Sequence, residues 1–192
     1  MTDTFGKTVR LVAILNLGYF GIEFAAAIWI GSVSLFADSI DFLEDASVNF
    51  LILAALGWSI RNRARLGMAL AGILLIPALA TLWTAWEKFN VPVPPAPVPL
   101  AVTALGAIVV NFSCALMLAR FRHAGGSLAN AAFLSARNDV LANAAIIAAG
   151  LVTAFVWKSA WPDIVVGLAI AVLNADAARE VFTAARREHA ES

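Results

Sequence analysis

Six stretches of about 20 mostly apolar residues, the length needed to cross a bilayer as a helix, follow one another along the chain. They run Leu11–Ile30, Val33–Trp58, Leu66–Glu87, Pro99–Ala119, Leu128–Trp157 and Trp161–Ala178. The chain has 192 residues, of which 61% are hydrophobic. A soluble domain of that size has no use for so much apolar surface, because surface-to-volume scaling limits its core. Lipid is the solvent that remains. The pattern predicts an all-α, polytopic membrane protein with six transmembrane helices, forming a single transmembrane domain over residues 1–192. The expected connections are Gly31-Ser32, the basic link Ile60–Arg65, the proline-rich segment Val91–Pro99, Arg120–Ser127 and Lys158–Ala160. Prolines at that density favour an irregular segment outside the hydrocarbon region.

The basic residues then orient the spans. Lys7, Arg10, Arg61, Arg63, Arg65, Arg120, Arg122, Arg179, Arg186 and Arg187 fall on one side, and only Lys88 and Lys158 on the other. Cytoplasmic loops carry the excess of Lys and Arg, so both termini are expected in the cytoplasm. Trp29, Trp58, Trp83, Trp86, Trp157 and Trp161 lie at span ends, where amphipathic rings anchor to the interface. The first apolar run is preceded by a polar segment containing an acid and lacks a small-residue cleavage site. It reads as a retained span rather than a signal peptide. Formal net charge is zero, leaving no basic face for nucleic acid. The single cysteine, Cys114, excludes an internal disulfide and a thiolate metal cluster.

Acids inside such spans are costly, and they normally pair, bind something or carry protons. Asp38, Asp41 and Asp45 lie in the second stretch at offsets of +3 and +7, which stacks them on one helical face. Asp41 and Asp45 form D-x-x-x-D, one turn apart and close enough to share a cation. Two carboxylates so placed in a low dielectric repel, so the pair can hold either a divalent metal or protons. In the fifth stretch, Ser135, Asp139 and Asn143 recur at i, i+4 and i+8 and place oxygen donors on one face. Counting residues from the span ends puts Asp41 and Asp139 both near the midplane. One packed helix pair would bring Asp41, Asp45, Asp139 and Ser135 around a single ion.

Asp38, Asn143 and Glu23 are candidates for the pathway or for support around that site. Asp38 reads either as a pathway residue or as a helix-packing acceptor, and Asn143 and Ser135 either as site groups or as interhelical hydrogen bonders. Glu23 either partners Arg137 or lines the outer vestibule. Arg137, two positions before Asp139, points to a different face and reads as half of a structural or gating pair. No phosphate-binding loop, G-x-S-x-G, H-E-x-x-H or C-x-x-C is present, so no enzyme and no bound cofactor are expected.

The run Asn16–Glu23 followed by Gly31-Ser32-Val33-Ser34-Leu35-Phe36-Ala37-Asp38-Ser39-Ile40-Asp41-Phe42-Leu43-Glu44-Asp45 resembles the first two spans of the cation diffusion facilitators. Val110-Asn111 and Trp161-Pro162-Asp163 also fit that pattern. The resemblance implies a six-span homodimer that exports zinc or a similar divalent ion (Mn, Cd, Co or Fe) in exchange for protons, from a multi-pass position in the cell inner (plasma) membrane. It implies Asp41, Asp45 and Asp139 as metal ligands, with Ser135 where the family usually has histidine. An oxygen-rich set without imidazole suits harder ions better. The family's C-terminal cytoplasmic domain has no counterpart before Ser192, so a short member is expected, its dimer held by the spans or by the tail. Two other readings stay open: a membrane module that binds metal or a partner without transporting, and an exporter of organic cations.

Overall fold

The computed structural model describes residues 2–55, 79–121 and 126–190, with Asn62, Arg65 and Met68 between them. Every regular element among the described residues is a helix: α1 (Thr2–Ile30), α2 (Val33–Ala55), α3 (residues 79–90), α4 (Pro97–Ala119), α5 (Gly126–Phe155) and α6 (Trp161–Ala190). Three segments, Thr4–Ile30, Pro97–Ala119 and Ala136–Phe155, are long and apolar enough to cross a membrane. The 23-residue α2 matches them in length but carries four acids, and the apolar part of α6, Trp161–Leu173, is shorter.

Periodicity explains the packing. In α4, Leu100, Ala104, Ala107, Asn111, Cys114 and Leu118 are buried, at alternating steps of three and four. Val98, Val102, Leu105, Val109, Phe112 and Leu116 lie on the opposite face and are exposed. A bare apolar face of that size is a liability in water and the expected outer surface in lipid. The same division holds in α1, where Val9, Val12, Asn16, Glu23 and Ala27 turn inward while Leu11, Ile14, Ile22 and Trp29 turn outward. Trp29, Trp83, Trp86, Trp157 and Trp161 are all exposed; Trp58 lies outside the described residues. Helix α2 is central, packing against α1, α5 and α6 and touching α4, while α4 lies along α5 and α1.

The buried apolar residues divide into separate clusters. One joins Ala27, Leu35, Ile40, Leu100, Ala104, Ile146 and Ile170; another, at the opposite end of the helices, joins Val9, Val12, Ile52, Cys114, Leu118 and Ala136. Between them Asn16, Glu23, Asp38, Asp45, Asn111 and Asn143 form a buried polar layer.

Element boundaries differ from expectation at two connections. Helix α4 begins at Pro97, inside the proline-rich segment, with Ala96 as an extended N-cap residue. Proline is tolerated there because the first-turn N–H groups have no intrahelical acceptor. Helix α5 begins at Gly126, so Gly126 and Ser127 belong to the helix rather than to the link. Apart from Asn62 and Arg65, the expected connection at 60–65 lies outside the described residues, as does part of the third stretch.

The turn between α1 and α2 is tightly built. Gly31 has φ 67°, and the amides of Gly31 and Ser32 both donate to the Ala27 carbonyl, at 2.9 and 3.1 Å. This left-handed glycine cap ends α1 without the penalty a Cβ would bring. Ser32 then caps α2, accepting from the Leu35 amide at 3.1 Å. Asp163, in the first turn of α6, closes the arrangement. It accepts from the Ser32 and Ser34 hydroxyls at 2.6 Å each and from the Val33 and Ser34 amides at 2.8 and 3.2 Å. The Lys88 ammonium lies 3.7 Å from Asp163 Oδ2, the oxygen that accepts from Val33, and also donates to the Gly31 carbonyl. Burial pulls Lys88 below the usual lysine range, an effect that Asp163 opposes. A carboxylate at the positive end of α2 is electrostatically well placed. Gly167, one turn further along α6, lets the backbones meet: a Cβ there would lie 2.7 Å from the Ser34 nitrogen and the Val33 carbonyl carbon.

Candidate functional site

The expected meeting of α2 with α5 is present. The carboxyls of Asp45 and Asp139 lie within hydrogen-bonding reach of each other. The charge that acts most strongly on Asp41 is that of Asp139, followed by Asp38. Asp45 is buried, at 8% exposure, whereas Asp41 and Asp139 are only partly covered. The principal charges around Asp41 and Asp139 are therefore those of other acids, an arrangement that repels unless a cation or protons enter.

Glu44 belongs to the same group and was missed by spacing arguments centred on the aspartates. It is 8% exposed, and its charge acts on both Asp41 and Asp139. The signal was available: an acid at +3 from Asp41 shares its side of the helix. Ser135 sits on α5 one turn before Asp139, and its side chain lies outside the described residues. Among the described residues, no three histidine, cysteine or acidic groups are gathered closely enough to hold a metal ion. The acids are disposed as neighbouring pairs along the layer rather than as one closed cage.

Glu23, Asp38 and Asn143 are wholly buried, each at 0% exposure. The carboxyls of Glu23 and Asp38 adjoin each other at hydrogen-bonding distance. Asn143 Nδ2 donates to Asp38 Oδ1 at 3.1 Å and to the Asp139 carbonyl at 3.0 Å. Asp38 is thus an acceptor between packed helices, and Asn143 ties the α2 acids to the α5 acid. Glu23 does not meet Arg137. That arginine is exposed and donates at 3.4 Å to the neighbouring Asn138, with no acidic partner among the described residues. Its offset of two residues from Asp139 turns it about 200° away from the polar layer.

The cation efflux transmembrane domain model matches residues 9–188. The chain belongs to the cation efflux family. A comparison with curated proteins finds no match. As a cation efflux domain, the chain is a membrane protein of a family that moves metal cations out across a bilayer. Its exposed apolar helix faces are the lipid-facing surface that such a role requires.

Proposed function

We propose that the protein exports a divalent metal cation from the cytoplasm in exchange for protons, through a carboxylate site near the membrane midplane. Asp41 and Asp45 of α2 and Asp139 of α5 are the metal ligands in this reading, with the Ser135 hydroxyl as a fourth donor and water completing the shell. Zinc accepts carboxylate oxygen, and the absence of imidazole widens the range toward Mn²⁺ and Fe²⁺, with Cd²⁺ and Co²⁺ as further substrates. The protein crosses the inner (plasma) membrane six times with both termini in the cytoplasm, and works as a homodimer.

The observation that carries the reading is the approach of Asp45 to Asp139 from facing helices, with Asp41 beside them and other acids as their principal charged neighbours. Ionised, these groups attract M²⁺ from the cytoplasm. Once the site opens outward, protons compete for the same oxygens and release the metal. The ion enters as substrate, and the residues do no covalent chemistry.

Reconstituted into vesicles holding a metal-sensitive dye, the wild-type protein should accumulate Zn²⁺ or Mn²⁺ against an imposed pH gradient. The double variant Asp41→Ala/Asp45→Ala should lose this uptake by at least about tenfold, equivalent to about 1.4 kcal/mol. Unchanged uptake in the double variant would end the proposal.

A further inference from the structure

The Glu23–Asp38 contact is not explained by the metal site. It joins α1 to α2, includes none of the proposed ligands, and is sealed. Both Glu23 oxygens and Asp38 Oδ2 are buried without a hydroxyl, amide or ammonium donor among the described residues, yet the two carboxyls lie within hydrogen-bonding reach of each other. Two carboxylates are acceptors only, so this contact becomes a hydrogen bond only when one of them carries hydrogen.

Asn143 favours one of the two as the acceptor. Its Nδ2 faces the Asp139 carbonyl, an obligate acceptor, so the orientation of the amide is fixed by chemistry. The same nitrogen donates to Asp38 Oδ1, and a charge-assisted acceptor is the favoured form of Asp38. Oδ2 of Asp38 then turns to Glu23. The other titratable neighbours do not supply the missing hydrogen. Tyr19, one turn before Glu23 on α1, commits its hydroxyl to the Thr103 carbonyl of α4 at 2.6 Å. Asp41 on α2 and Asp139 on α5 are acids that add negative charge. Among the described residues, the groups acting on Glu23 and Asp38 include no lysine, arginine or histidine.

We infer that Glu23 holds a proton in an O–H···O bond to Asp38, a proton-binding site separate from the metal ligands. No bond other than O–H is made or broken: the hydrogen leaves Glu23 as H⁺ when the site opens and is replaced from solvent. Asp38 lies three residues, about 4.5 Å along the axis, nearer the Gly31 turn than Asp41, and the charge of Asp41 acts on Glu23. A divalent ion at Asp41 therefore lowers the cost of losing this proton, and an empty site raises it. The inference extends the proton side of the exchange proposed above, but its test contains no metal.

The test is an infrared difference spectrum of the full chain in lipid nanodiscs at neutral pH, metal-free, wild type minus Glu23→Gln. Glutamine keeps the side-chain shape and an N–H donor toward Asp38, so the variant should fold. The expected result is one protonated-carboxyl C=O band present in the wild type and lost in the variant. In Asp38→Asn the band should persist at a shifted frequency, which covers the case in which Glu23→Gln does not fold. The inference is overturned if no such band is lost. It is also overturned if replacing choline by Na⁺ or K⁺ at constant ionic strength stabilises the wild type but not Glu23→Gln, because the occupant is then a metal cation. A protein that shows the band but transports no divalent ion would sink the exporter reading alone.

Discussion

Asp163 and Asp139 are the same side chain, each in a helix of one bundle, and their surroundings are opposite. Asp163 receives two hydroxyls and two backbone amides and has an ammonium beside it. Asp139 has other acids as its principal charged neighbours. A carboxylate whose lone pairs are all engaged is a fastener, and protein groups have already paid its desolvation. One facing other carboxylates is held at a disadvantage until something positive arrives. The difference in surroundings distinguishes two residues that composition alone treats alike.

Stability measurements can break this contrast. The largest effect should come from Asp163→Ala, which strands the Lys88 ammonium and four donors at the α2 N-terminus. A loss of about 3–5 kcal/mol is expected in denaturant unfolding in micelles. Gly167→Ala should be intermediate, at about 1–3 kcal/mol by the same assay, because the new Cβ would press on Ser34 and Val33 backbone atoms. The smallest effect should be that of Asp139→Asn, within about 1 kcal/mol of wild type or more stable, since it removes repulsion, while metal uptake into vesicles is lost. A destabilisation by Asp139→Asn as large as that of Asp163→Ala would show that both aspartates are fasteners.

How much of this was legible depended on distance along the chain. The apolar runs announce α1, α4 and α5 directly, because lipid requires their length and apolar outer faces, whereas α2 with its four acids and α6 with its shorter apolar part are legible as helices but less plainly as spans. The stripe of Asp38, Asp41 and Asp45, and its counterpart at Asp139, follow from helical spacing, and α2 does pack on α5. Asp163 was visible only as part of a resemblance. Its partners at the start of α2 lie about 130 residues away in the chain, and no local pattern encodes such a contact. The Glu23–Asp38 pairing was closer to hand. Glu23 precedes Gly31 by eight residues and Asp38 follows it by seven, so a hairpin of two helices sets them at equal depth. Arg137 shows the reverse case: a buried partner is expected for an arginine in an apolar run, but one rotated to the outside donates to its neighbour Asn138.

The fastening at the start of α2 also makes that end a fulcrum. From Val33 to Asp45 the helix axis extends about 18 Å, so a tilt of roughly 5° about the Asp163 contact would carry Asp45 sideways by about 1.6 Å. That displacement is comparable to the difference between a coordinating oxygen and one out of reach, while the pinned end scarcely shifts. A small rotation of one rigid rod is thus enough to change which acids stand together.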